Sequence, residues 1–275
     1  MYIYRRILAV TVICLLALAG CGGGGGGNSN PTSQPLYISF LAVGQGDATY
    51  IKMPDGRCVL IDGGTRDDCV QELARLGAGP RIDLIISTHH DIDHVGGLFE
   101  VIDRYEVGEV WETGASVLVI SKQWREALAS HHIPTRLVKA GDYADFGDVR
   151  LRVLAPERTF SGEIIANPNR YSLVCQLERG AYKALFLSDA TIDEQQTFAS
   201  ELGPVDIMKV AHHGAADAAW EETYQRTTPK VAVLTLGSTS QFVGLPSPQA
   251  MALINQYAGE VHRTYPDGTI TYSSR

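Results

Sequence analysis

Ser87-Thr88-His89-His90-Asp91-Ile92-Asp93-His94-Val95-Gly96-Gly97 is the stretch on which the reading of this chain turns. An apolar run, Ile82 to Ser87, leads straight into it, and a helical pattern, Val95 to Tyr105, follows. A short continuous apolar run reads as a strand covered on both faces. Ligand sites in α/β sheets gather beyond such strand C-termini. Five of the six residues from His89 to His94 have side chains that bind metal ions. Carboxylates packed this densely repel one another unless a cation neutralises them. A solvated polar loop is the plainer alternative, and the following Gly-Gly and the preceding strand argue against it.

Upstream, Leu36–Val43, Ala48–Met53 and Cys58–Ile61 read as strands, with turns at Gly44–Asp47 and Pro54-Asp55-Gly56. Asp68–Leu76 reads as a helix closed by Gly77. Downstream, Glu109–Glu112 is expected to be extended and Ser121–Ser130 helical. Strands are expected at Val149–Leu154, Ser172–Leu177 and Ala184–Leu187. Beyond Asp189, strand and helix alternate (Val205–Val210, Ala218–Tyr224, Val231–Leu236, Pro248–Tyr257), ending in a hairpin about Pro266-Asp267-Gly268. Strands in this number, with helices in both halves, fit two sheets packed face to face with helices outside.

Four further segments repeat the theme of small turns beside acidic or basic residues. They are Val43-Gly-Gln-Gly-Asp-Ala48, Ile61-Asp-Gly-Gly64, Phe186-Leu-Ser-Asp-Ala190 and Lys209-Val-Ala-His-His-Gly214. Together with His89–Gly97, and in this order, they resemble the metallo-β-lactamase superfamily, whose HxHxDH signature carries Asp91 here in place of the second His. The HxDxDHxGG form is closer still to the hydrolase domain of ComEC-type competence proteins. Gly244–Pro246 and Tyr265–Ile270 resemble that family's last segments. The resemblance spans nearly the whole chain beyond residue 36. It implies an α/β fold, a four-layer αββα sandwich, and a metal-dependent hydrolase.

Carried over by position, the resemblance implies that His89 and Asp91 bind one metal, and Asp93 and His94 the other. Asp189 would bridge them, and His212, or failing it His213, would complete the second site. Asp93 and Lys209 are expected to act in catalysis, Lys209 by holding a phosphate oxygen as a point charge. Asp47 and Asp62 are either partners that orient the histidines or simple turn residues. The cofactor expectation is two divalent ions, zinc or manganese. Asp91 makes the first site rich in oxygen, which favours manganese, while zinc is the superfamily's default.

The chain departs from the pattern at Ala42, where relatives often have Asp, and at Leu245, where they often have His. No ligand stands out between the first motif and Asp189, a region holding Asn167, Asn169 and Ser172. The first metal site is therefore expected to be weak or empty. His131 and His132 close a helix before Pro134 and read as structural.

At the N-terminus, Arg5 and Arg6 precede an uncharged apolar run, Ile7–Ala19, too short to read first as a membrane span. Leu18-Ala19-Gly20-Cys21 resembles the lipobox of bacterial lipoproteins. The organisation expected is a signal peptide over 1–20, a lipidated Cys21 with a glycine-, serine- and asparagine-rich tether over 21–35, and a hydrolase domain over 36–275. The domain would be exported and lipid-anchored to the envelope, facing the periplasm or exterior. Gly22 after the cysteine favours the outer membrane of a Gram-negative cell. The net charge of −8 excludes a global basic field. Cys58 and Cys69 form either a disulfide or two buried thiols; Cys175 also remains.

The expected substrate is a phosphodiester, with nucleic acid as substrate only; no protein partner is expected. The alternatives are hydrolysis of lactone, thioester or other ester bonds, and a non-catalytic binding module on the same scaffold.

Overall fold

The computed structural model describes residues 34–238 and 244–274. The expected signal peptide, the lipidated Cys21 and all but the end of the tether lie outside them. No helix among the described residues is long and apolar enough to cross a membrane.

Among the described residues, fourteen strands form two seven-stranded mixed sheets. The first half of the chain supplies β1 (Leu36–Phe40), β2 (Thr49–Lys52), β3 (Cys58–Ile61), β4 (Arg81–Ile86), β5 (Glu106–Glu112) and β6 (Thr135–Leu137). The second half supplies β7 (Tyr143–Phe146), β8 (Val149–Ala155), β9 (Val174–Arg179), β10 (Tyr182–Phe186), β11 (Ile207–Lys209), β12 (Val231–Leu234), β13 (Glu260–Arg263) and β14 (Ile270–Ser274). One sheet runs β14-β1-β2-β3-β4-β5-β6 and the other β13-β12-β11-β10-β9-β8-β7. The helices are α1 (Asp68–Arg75), α2 (Ile92–Val95), α3 (Leu98–Arg104), α4 (Leu118–Ser130), α5 (Ile192–Thr197), α6 (Glu221–Thr227), α7 (Pro248–Tyr257) and α8 (Thr264–Asp267).

Strand periodicity builds the layers. Alternate side chains of a strand face opposite ways. Leu84 and Ile86 of β4 enter the core between the sheets, with Phe40, Leu151, Val153 and Phe186. Ile85 faces outward beneath α1, α3 and α4, with Leu73, Val101 and Trp124. In the second sheet Leu185, Met208 and Leu234 face outward against Phe198, Tyr224 and Ile254. The result is the expected four-layer αββα sandwich.

Two local expectations are corrected. The stretch Val95–Tyr105 is not one helix: it breaks at Gly96-Gly97 into α2 and α3. A Cβ on Gly97 would lie 2.0 Å from Gly63 O, so the backbones of two site-bearing loops touch there. Nor do the last strands form a hairpin. β13 pairs in parallel with β12, whereas β14 pairs with β1, so the Pro266-Asp267-Gly268 segment crosses between sheets. Cys58, Cys69 and Cys175 are separate buried thiols. The Cys58 thiol meets Tyr50 Oη at 2.9 Å.

Strands β3, β4 and β5 run parallel, and so do β10, β11 and β12. The loops beyond β3, β4, β10, β11 and β12 carry Asp62, His89–His94, Asp189, His212–His213 and Thr235, which the contacts below bring together in one cluster.

Candidate metal centre

The cluster begins with four imidazoles, each pinned by Nδ1. His94 Nδ1 donates to Asp62 Oδ2 at 2.8 Å. His89 Nδ1 meets Thr88 Oγ1 at 3.1 Å, His213 Nδ1 donates to the Thr235 carbonyl at 2.9 Å, and His212 Nδ1 to Asp217 Oδ1 at 2.9 Å. An acceptor at Nδ1 selects the tautomer that leaves the Nε2 lone pair bare. Those Nε2 atoms converge on Asp189. His94 Nε2 lies 3.2 Å from Asp189 Oδ2, His212 Nε2 3.7 Å, His213 Nε2 3.8 Å and His89 Nε2 4.0 Å. Asp93 Oδ2 stands 3.5 Å from His213 Nε2, and Asp91 Oδ2 3.7 Å from His89 Nε2.

Buried polar atoms are normally paired, and an orphan asks for an explanation. Here His89 Nε2, His94 Nε2, His213 Nε2 and Asp189 Oδ1 are all buried without a hydrogen-bond partner. Three sets of ligand atoms lie close enough to share an ion: His89, His94 and Asp189; Asp93, His94 and His213; and Asp47, Asp62 and His94, whose two carboxylates are already taken up by Lys209 and by Thr88 and the His94 Nδ1–H. Neutral imidazoles and carboxylates are the donor set that zinc and manganese take. The residues therefore fit a divalent metal centre. The open side of the cluster is set by Asp91, His212 and Asp93, whose side chains are 35 %, 23 % and 17 % exposed.

Without a cation the charges lean on one another. Burial would lift the Asp189 carboxyl, but His94, His213 and Lys209 hold it well below the usual range. Burial likewise disfavours a charged His94, yet Asp189 and Asp62 raise it well above an ordinary imidazole. His89, buried beside His94, falls well below. Burial opposes an ionised Asp93, but the neighbouring His213 and His94 rings draw its carboxyl down to about 2.

Several expectations meet specific placements. Asp62 is no simple turn residue: besides His94 it accepts from Thr88 N at 2.9 Å and Thr88 Oγ1 at 2.7 Å. Asp47 accepts from the Thr235 hydroxyl and pairs with Lys209. Lys209 is the correction. Its side chain is 3 % exposed; its ammonium pairs with Asp47, donates to Ser188 O at 2.9 Å and lies 3.7 Å from Asp189 Oδ1. Enclosed by its own protein, it stands between Asp47 and Asp189 as their shared counter-ion, away from the open side of the cluster. His213 stands with Asp93 and His94, whereas His212 lies on the open side with Asn169 Nδ2 3.3 Å from its Nε2. His90 turns away to Ser121 at 2.7 Å and Glu112 at 3.1 Å.

Thr88, Ser188, Thr235, Asn169 and Asp217 carry no sequence signal of their own. Ser188 Oγ donates to Thr88 Oγ1 at 2.7 Å and so ties the two sheets at the site. Asp62, Ser188, His212 and His213 also share left-handed backbone, with φ of 57°, 47°, 46° and 52°. Each such residue costs about 1–3 kcal/mol and persists where the surroundings over-determine it, typically at functional sites.

Residues 41–237 match the family described as the metallo-beta-lactamase superfamily. The chain is 26 % identical over 257 residues to ComE operon protein 3 of Bacillus subtilis, covering 86 % of this chain and 32 % of that one. It is 26 % identical over 248 residues to Recombination protein 2 of Haemophilus influenzae, covering 88 % and 29 %. It thus spans about a third of the length of these relatives. The metallo-beta-lactamase fold protein YhfI from Bacillus subtilis superposes with a TM-score of 0.63 at 12 % identity, over 88 % of this chain and all of that one. Sequence, fold and the cluster of bare imidazoles agree: the chain belongs to the metallo-β-lactamase superfamily, a family of metal-dependent hydrolases.

Proposed function

We propose that this protein hydrolyses phosphodiesters with a pair of divalent ions, zinc or manganese. The observation that carries the reading is the convergence of bare Nε2 atoms on Asp189. Asp93, His94 and His213 would hold one ion and His89, Asp91 and His212 the other, with Asp189 available to both. His212 then fills the place for which the sequence offered no ligand. Bound there, the ions supply a water that ionises near neutral pH and an electrophile for the phosphoryl oxygen. The chain's own part is to fix the donors. Asp62, Thr88, Thr235 and Asp217 lock the four ring orientations, and Lys209 with Asp47 holds Asp189 from behind. Substrate enters on the side of Asp91 and His212. The phosphodiester is supported by the likeness to competence-type relatives, one of them named a recombination protein. The sequence further supports export, with a lipid on Cys21 and residues 21–35 tethering the domain to the envelope.

Bis-p-nitrophenyl phosphate turnover tests this, after chelation and after zinc or manganese is restored separately. Turnover that depends on about two ions per chain, and that His94→Ala and Asp189→Ala abolish in folded protein, is the expected result. Full turnover in either variant overturns the mechanism. Metal uptake without turnover turns the reading to other ester bonds.

A further inference from the structure

The groups that bound the open side of the metal centre offer a substrate no hydrogen-bond donor. Asp91 and Asp93 face it with carboxylates, and the His212 Nδ1–H is spent on Asp217. Lys209, expected from the sequence to hold a phosphate oxygen, is buried between Asp47 and Asp189. Asn169 supplies what these groups lack: its Nδ2 lies 3.3 Å from His212 Nε2.

The orientation of this amide follows from its neighbour. His212 directs its Nδ1 proton to Asp217, so Nε2 carries a lone pair, and the amide nitrogen rather than the amide oxygen faces it. The turn that carries Asn169 is braced on both sides. Asn169 N donates to Asn167 Oδ1 at 3.2 Å, and its carbonyl accepts from Ser172 Oγ at 3.1 Å and Ser172 N at 3.4 Å. Two residues on, Tyr171 packs edge-on against Phe160, ring centroids 4.9 Å apart. The amide itself does little for the fold. Its Oδ1 is buried without a partner, and its nitrogen meets only the lone pair that a metal ion would take. A buried polar atom without a partner costs stability, so its retention asks for another reason.

One lone pair cannot serve an N–H and a cation together. With His212 turned to an ion, the Asn169 Nδ2–H group loses its acceptor and is left free where substrate enters. Phosphodiester hydrolysis joins a water oxygen to phosphorus and breaks the bond to the leaving oxygen, which takes a water proton. Charge shifts onto the non-bridging oxygens on the way, and a preset N–H beside one of them stabilises it. A neutral amide suits this place, since an ammonium or guanidinium so close to a divalent ion would be repelled.

We propose that Asn169 is a catalytic residue: its amide N–H, released from His212 in the metal-loaded protein, donates to a phosphoryl oxygen of the substrate in the transition state. The proposal rests on the phosphodiesterase reading and gives that site a donor that touches substrate, the part expected of Lys209.

The test compares Asn169→Ala and the near-isosteric Asn169→Asp with the parent, all metal-loaded. Elemental analysis gives metal content, bis-p-nitrophenyl phosphate gives kcat and KM, and calorimetry gives binding of orthovanadate, a mimic of five-coordinate phosphorus, against inorganic phosphate. Both variants are expected to keep the parent's metal content and to lose about 10²–10³-fold in kcat, the effect of removing one such donor. KM should stay within about threefold of the parent, because the contact is made in the transition state. Vanadate affinity should fall at least about tenfold, and phosphate affinity less. A side chain that worked through its oxygen, as a metal ligand, would be rescued by aspartate; one that works through N–H is not. Parental turnover in Asn169→Asp therefore overturns the proposal. So does loss of an ion from Asn169→Ala, which would make Asn169 a prop for His212, and so does a kcat within about threefold of the parent in either variant. A loaded parent that cleaves no phosphodiester refutes that reading by itself, and vanadate then decides the donor. Vanadate binding weakened at least about tenfold in both variants, with metal retained, upholds it; equal binding, or none in the parent, overturns it.

Discussion

Asp62→Asn is the sharpest probe of how this site is held together. The Asp62 carboxylate accepts three donors: Thr88 N, Thr88 Oγ1 and His94 Nδ1. Asparagine fits the backbone, since it tolerates the left-handed φ of 57° at this position. It keeps only one acceptor oxygen. The backbone N–H of Thr88 cannot turn elsewhere, so the remaining oxygen stays opposite it, and the new amide N–H group faces Thr88 Oγ1 and His94 Nδ1. The Thr88 hydroxyl can rotate to accept. His94 must then accept at Nδ1, which moves its proton to Nε2 and removes the lone pair aimed at Asp189. Loss of an outer partner of this kind typically costs 10–100-fold in metal affinity, or about 1.4–2.8 kcal/mol. The strained hydrogen bonding adds about 1–3 kcal/mol to the cost of folding. Competition against a chromophoric chelator measures the affinity, and thermal unfolding measures the stability. Zinc and manganese affinities within twofold of the parent, in a folded variant, would refute the argument that Asp62 sets the His94 tautomer.

Three further outcomes follow from the same geometry. Lys209→Met leaves Asp47 buried without its cation, which costs roughly 3 kcal/mol and lowers the melting temperature by about 6–12 °C; an unchanged melting curve would show that the pair contributes nothing. His213→Ala and His212→Ala should each reduce the metal content to about one ion per chain, measured by elemental analysis, with opposite ions lost; two ions retained in either variant contradict the proposed ligand sets. Glu194 gives a pH signature. Its folded-state proton affinity is raised above that of the unfolded chain, so the folded state binds the extra proton, and the stability it contributes at low pH falls as pH rises past the ordinary carboxylate range. Glu194→Leu should therefore gain more in melting temperature at pH 8 than at pH 5, and an equal gain at both would mean that Glu194 is ionised in the fold.

The layer order was legible because it depends on local patterns. Turn residues and short apolar runs marked β1 to β4, β8 and β10, and helical spacing marked α1 and α7. The edge strands β6 and β7 were not legible. The three side chains of β6 are all exposed, β7 offers only Ala144 and Phe146 to the core, and both strands exist because a neighbouring strand offers hydrogen bonds. The terminal strands were misjudged for the same reason: nothing in Glu260–Ser274 states that its two strands belong to different sheets.

At the site, the sequence by itself marked most of the residues that gather in the candidate metal centre. A run of histidines and aspartates at a strand end is a local feature, and so are Asp189 and the His212-His213 pair. Tertiary structure alone decided what each one does. His90 and His89 are neighbours, yet one pairs with Glu112 and the other faces Asp189, because their side chains leave the chain in different directions. Lys209 looked like a hand for substrate and is a buried counter-ion, because Asp47, 162 positions earlier in the chain, is folded against it. Two of the four Nδ1 partners, Asp62 for His94 and the Thr235 carbonyl for His213, come from loops after other strands. Such pairings depend on distances between segments remote in sequence, and only the packing of the two sheets fixes those.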